Sequence, residues 1–128
     1  MATIPYTRIA LPETADYEGV NAFQWPNMTF TGSDVGQELA MSSSADRSVQ
    51  VAGTLGVGGS VRIEGTIDGI NWAPLTDPQG NDLAFTIYPA GYSTKIEAVC
   101  ELVRLIRPRI AAGDGTTSLT VSILTRCK

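Results

Sequence analysis

Apolar and polar residues alternate with a period of two along most of the chain after Ser48, the pattern of strands that bury one face. From Ser48 to Leu55, Val49, Val51 and Leu55 fall on one face and Gln50 and Thr54 on the other. Val61, Ile63 and Ile67 then alternate with Arg62, Glu64 and Thr66. Between the two runs lies Gly56-Val57-Gly58-Gly59. Glycine supplies the positive φ of a tight turn, so the pair predicts a hairpin. Asp68-Gly69-Ile70-Asn71 predicts a second turn, and a third strand begins over Trp72 to Leu75. A wide polar turn spans Asp77 to Asp82. Leu83 to Tyr88 reads as a fourth strand, ended by Pro89-Ala90-Gly91. Arg104 to Ala111 reads as extended, with Pro108 pointing to an edge or a bulge. After Gly113-Asp114-Gly115, Leu119, Val121 and Ile123 mark a final strand. Upstream, Met28 to Thr31 and Gln37 to Ser43 predict strands around a Gly32 to Gly36 turn.

Two stretches depart from this pattern. Ile96, Val99, Cys100 and Val103 follow helical spacing, which predicts one short helix near residues 94–103 capped by Ser93 or Thr94; a strand is the alternative. Residues 1–24 hold Pro5, Pro12 and the acidic stretch Glu13 to Glu18, which predicts an extended N-terminal arm with one short strand around Tyr6 to Leu11. That arm either drapes on its own domain or reaches a neighbouring subunit. The expectation is an all-β chain: an antiparallel β-sandwich, jelly-roll-like, of seven or eight short strands over residues 25–128, preceded by the arm. No internal repeat or second domain is visible.

Composition narrows the function. A chain of 128 residues has enough length for one sizeable core. Charged residues make up 17%, below the roughly 25% of an average soluble domain, which hints at surface covered by a partner. Histidine is absent, which removes Ser-His-Asp and Cys-His machinery and histidine-ligated metal. The net charge is −4 and the nine Lys and Arg are scattered, so nucleic-acid binding is not expected. No apolar run approaches a membrane span, and Met1 to Ala15 lacks the charged n-region and apolar run of a signal peptide. The two cysteines, Cys100 and Cys127, are too few for a disulfide framework and read as reduced thiols, Cys100 as a buried one.

Candidate chemistry is sparse. Without histidine, acid–base work would fall to carboxylates such as Glu64 with Asp68, or Glu97 with Glu101. Their simpler roles are solvation, turn formation and the wet face of a short helix. Asp77 to Asp82 offers oxygens but not the spacing of a calcium loop. Gly53 to Gly59 lacks the Lys of a phosphate loop and opens no helix. No catalytic residue, cofactor or metal is expected. Trp25, Trp72, Tyr88 and Tyr92 could stack on sugar rings, although Trp72 begins a strand in a core pattern. Arg104, Arg107 and Arg109 alternate with apolar residues on what reads as an edge strand. There they would guard against aggregation or pair with acids of a neighbouring subunit.

The segment Ser60 to Leu75 with Thr76-Asp77-Pro78-Gln79-Gly80-Asn81 resembles small structural proteins of tailed-bacteriophage head regions, the head decoration or cement proteins. So do Ile106-Arg107-Pro108 and the run Ala112 to Val121. The resemblance covers roughly residues 48–128. It implies a virion protein on the capsid exterior, assembled in the host cytoplasm, that binds the major capsid protein, bridges its neighbouring subunits and forms homo-oligomers. It offers no catalytic residues. The partner-binding candidates are Tyr6, Arg8 and Tyr17 in the arm and Arg104, Arg107 and Arg109. The alternative is a carbohydrate-binding sandwich module or a tail-fibre or baseplate domain, in which related hairpins recur. Leu105 stands where sugar-binding sandwiches often carry an aromatic.

Overall fold

Val49, Val51, Val61, Ile63, Ile106, Ile110, Val121 and Ile123 alternate along four strands, and all eight are buried in one shared cluster. These strands belong to two sheets, described in a computed structural model over residues 3–10, 20–32, 34–40 and 46–126. Both sheets are mostly antiparallel, and no helix occurs among the described residues. The strands in chain order begin with β1 (Thr3–Ile4), β2 (Thr7–Ile9), β3 (Val20–Thr29), β4 (Val35–Gly36), β5 (Leu39–Ala40) and β6 (Asp46–Thr54). They continue with β7 (Ser60–Thr66), β8 (Ala73–Pro74), β9 (Ala84–Phe85), β10 (Thr94–Ala98), β11 (Leu105–Ala112) and β12 (Ser118–Arg126). One sheet runs β1-β4-β11-β7-β8, with β5 also on β11 and β9 also on β7; the other runs β10-β6-β12-β3-β2. The expected seven or eight strands become twelve among the described residues, because the loops contribute pairs of two or three residues.

The predicted hairpin is corrected. β6 pairs with β10 and β12, whereas β7 pairs with β11, β8 and β9. The glycine run between β6 and β7 therefore carries the chain from one sheet to the other. The link from β11 to β12 crosses back in the same way, so two arches lie together. Asp114 joins them: its carboxylate accepts the N–H of Val57, while the Thr117 hydroxyl donates to the Leu55 carbonyl. Gly56 and Gly58 take φ of 78° and 68° in the first arch, where a side chain would be strained.

The predicted helix is also corrected. Thr94–Ala98 is a strand paired residue for residue with Ser48–Ala52 of β6, and Ile96 of the supposed apolar face is exposed. Pairing with a distant strand builds a five-residue ladder along one side of the segment, which outweighs a spacing that supports little more than two helical turns. Lys95 and Glu97 lie on the inward-facing side of this edge strand and pair at 3.3 Å. Inward charges on an edge discourage further strand addition.

Pro108 is likewise not at an edge, since β11 has β7 on one flank and β4 and β5 on the other. Ile110 donates its N–H toward Asp34, and Pro108 lacks the N–H that would continue this row. The gap between β4 and β5 falls beside it, and Gln37 in that gap turns elsewhere. Its N–H goes to Ile4 and its carbonyl accepts the Trp25 indole N–H at 2.9 Å. β3 is continuous through Met28, with a register shift opposite Leu119 to Val121 that Pro26 and Asn27 absorb. Asn27 has φ of 56°, a conformation asparagine tolerates better than most residues.

The first residues join the sheets. Thr3–Ile4 pairs in parallel with β4, Thr7–Ile9 pairs with β3, and β3 itself begins at Val20. Tyr17 and the rest of residues 11–19 lie outside the described residues.

Candidate interaction surfaces

Alternation along β7 and β11 projects charged residues from the outer face of the larger sheet. The register sets Glu64 opposite Arg107 and Arg62 opposite Arg109. Glu64 is the hub of this face, with only 12% of its side chain exposed. Arg107 Nε donates to Glu64 Oε1 at 3.0 Å, and Arg109 Nη1 lies 3.7 Å from Glu64 Oε2. The Arg107 guanidinium also covers the Trp72 ring, 3.9 Å from its centroid, a cation–π contact. Arg62 stands 3.9 Å from Asp82. The predicted edge role of the arginines gives way to this arrangement: Arg107 and Arg109 are on an interior strand and share an acid of their own chain. Arg104 precedes the strand, donates its N–H to the Thr66 carbonyl and is exposed beside the Gly69 turn.

That turn borders a cleft of about 600 Å³ at one end of the molecule. Its floor includes Gly65, Leu75 and Val103, and its rim carries Ile67 and Leu102, both strongly exposed. Ile70, in the same turn as Ile67, is exposed as well. Two carboxylates line the cleft. Asp68 accepts the N–H groups of Asn71 and Ile70, the Asn71 amide and the Thr66 hydroxyl, which together hold it far below the usual carboxylate range. Burial pushes Glu101 up, but the hydroxyl and N–H of Thr76 and the nearby Arg47 charge outweigh it, and the net shift is downward. Both groups are thus held ionised, the opposite of what a general acid needs. Glu101 was expected on a wet helix face; it instead pins the Thr76 loop, while buried Arg47 donates to the Glu101 carbonyl. Burial lowers the Arg47 pKa against the raising effect of Asp46 and Glu101. Cys100, expected buried, is exposed beside this loop.

The outer face of the smaller sheet has a different character. One row across all five strands reads Ile96, Gln50, Ser122, Gln24 and Thr7. The next reads Ala98, Ser48, Leu124, Ala22 and Ile9. Neither row contains a charge. Ile96 and Leu124 are 62% and 46% exposed. A shallow depression of about 210 Å³ lies between them over Ser48, Gln50 and Ser122. The charged pair Asp46 and Arg126 closes one end of the face, linked through two guanidinium nitrogens.

Other candidates are engaged within the chain. Tyr6 is half-buried, edge-on to Phe23 at 5.6 Å and to Trp25 at 6.3 Å. Arg8 is exposed and donates to the Asn21 side chain at 2.8 Å. Trp25 is fully buried, Tyr88 is partly buried against the core, and Tyr92 is exposed. The hub role of Glu64 was missed in the sequence, although its sign and parity oppose those of Arg107 and Arg109. Trp72 shows no signal there for its guanidinium partner 35 positions away. No protein-family model matches the chain, and no curated protein matches it.

Proposed function

We propose that the protein is a phage virion structural protein of the cement type, a β-sandwich of jelly-roll-like build that binds the outer capsid surface and bridges neighbouring major capsid subunits. The observation that carries this reading is the strongly exposed pair Ile67 and Leu102 on the rim of the apolar-floored cleft, with exposed Ile70 in the same turn as Ile67. Clustered apolar side chains at one end of a small β-domain are a sign of a protein partner. The resemblance of residues 48–128 to head decoration proteins supplies the kind of partner. Many copies on a symmetric lattice would convert one modest contact per subunit into firm attachment. The chain would act on the capsid exterior after assembly in the host cytoplasm, without a catalytic residue, cofactor, nucleic acid or membrane.

The carbohydrate-binding alternative draws less support. Trp25 is buried, the Trp72 ring is covered by Arg107, and Tyr92 is the exposed member of the four aromatics considered. The test is immunogold electron microscopy of phage particles with an antibody against this chain. Gold over the head is expected, together with co-sedimentation with heads that Leu102→Glu weakens. Gold on the tail tip or fibres, or none on the particle, overturns the reading.

A further inference from the structure

We infer that the outer face of the smaller sheet binds a second copy of this chain, face to face about a two-fold axis. The inference goes beyond capsid attachment and does not depend on it.

The argument starts from charge. A chain with 13 acidic and nine basic residues leaves two full rows of a five-stranded face without any. In a two-fold contact residue i of one copy meets residue j of the other and j meets i, so a charge on the patch needs an opposite charge at the position it meets or loses its water uncompensated. A neutral face meets itself without that penalty. The charged pair that exists, Asp46 with Arg126, is at the end of the face and is internally balanced.

Area gives the second argument. Strands about 4.8 Å apart rising about 3.3 Å per residue make a face of roughly 500–700 Å² from five strands whose central members have nine or ten residues. A standard interface takes about 800 Å² from each partner, so the face supplies most of that area and its flanking side chains would supply the remainder. Shape gives the third. Leu124 and Ile96 stand above small residues, and the depression between them lies over Ser48, Gln50 and Ser122. In a two-fold contact the protrusions of one copy enter the depression of the other, and the reverse contact repeats it. Two sheets stacked in this way pack about 10 Å apart with strands crossed at roughly 30°.

The test uses the purified full chain under reducing conditions, which exclude linkage through exposed Cys100. Sedimentation equilibrium from micromolar to several hundred micromolar is expected to give twice the monomer mass. Leu124→Glu is expected to raise the dimer dissociation constant at least tenfold, and Ile96→Glu, on the edge strand, to do the same. Ile70→Glu, at the cleft end, should leave it unchanged. Circular dichroism identifies any variant that fails to fold, and the remaining one then decides. A monomeric wild type, a mass other than twofold, dissociation insensitive to Leu124→Glu and Ile96→Glu, or dissociation by Ile70→Glu overturns the inference. Failure of head binding with an intact dimer would count against the cement reading alone.

Discussion

Replacing Glu64 with Gln keeps the side-chain volume and removes the single negative charge that Arg107 and Arg109 share. Exposed ion pairs contribute about 0–1 kcal/mol, and breaking a buried one costs about 3–5 kcal/mol. Glu64 is 12% exposed and Arg107 22%, so some solvent screening persists and the cost should fall between these classes, at about 2 kcal/mol. Unfolding entropy near 2.1 cal/mol/K per residue makes that a fall in Tm of about 7 °C for a chain of this length. The assay is reversible thermal or urea unfolding followed by circular dichroism, with Asp46→Asn as the reference. Asp46 and Arg126 are both more than half exposed, and their pair should contribute less than about 0.5 kcal/mol. Raising salt toward 1 M shortens the screening length to about 3 Å, so it should erase the Asp46 effect and leave most of the Glu64 effect. A Glu64→Gln loss no larger than that of Asp46→Asn, or one that vanishes in salt, refutes the hub role.

Three further outcomes are expected. Gly36→Ala should lower stability by about 1–3 kcal/mol in urea unfolding, because a Cβ there would come within 2.7 Å of both the Pro108 ring and Trp25 Cδ1. The Thr116 hydroxyl, the Val57 N–H and the Thr116 N–H lower Asp114 to about 2. A depressed carboxylate stabilises the fold above its unfolded pKa of about 3.9 and loses that contribution as pH falls through its folded value. Stability should therefore drop between about pH 4 and 2, and Asp114→Asn should flatten that drop in acid titrations followed by fluorescence. Finally, a maleimide added to the native protein should modify Cys100 without denaturant, as read by peptide mass mapping; protection of that thiol would contradict its exposure.

The strands around Val49, Val51, Val61 and Ile63 were legible because period-two alternation is a local property of the chain. Their partners were not. An arch between sheets and a hairpin within one both turn Val51 and Val61 toward the same core, so the pattern cannot separate them. The one local difference is Leu55, an apolar residue in the connection that packs against the core. Residues 94–103 failed for a related reason: Ile96, Val99 and Val103 satisfy helical spacing, but the deciding contact is backbone pairing to β6 more than 40 positions earlier. The arginines were legible as a group. Their placement on an interior strand was not, because Pro108 normally signals an edge and here faces the gap between β4 and β5. Asp68 was legible as a turn residue, since its bonds stay within three positions, whereas Glu101 reaches Thr76 across 25.

β12 lies between β6 and β3 at the centre of the smaller sheet, although it is the last of the described strands in chain order. During synthesis, β6 and β3 are exposed long before the strand that separates them exists. Each would then show the nascent chain's surroundings an unpaired backbone edge beside its apolar face. The sheet can close only after residue 126 has emerged, and its pairing of Arg126 with Val20 joins residues 106 positions apart. Folding should accordingly be slow, on the order of milliseconds to seconds, as for other chains dominated by remote strand pairing. A ribosome stalled before β12 would hold an open, aggregation-prone template, and the chaperone demand of the protein should peak at that stage of translation.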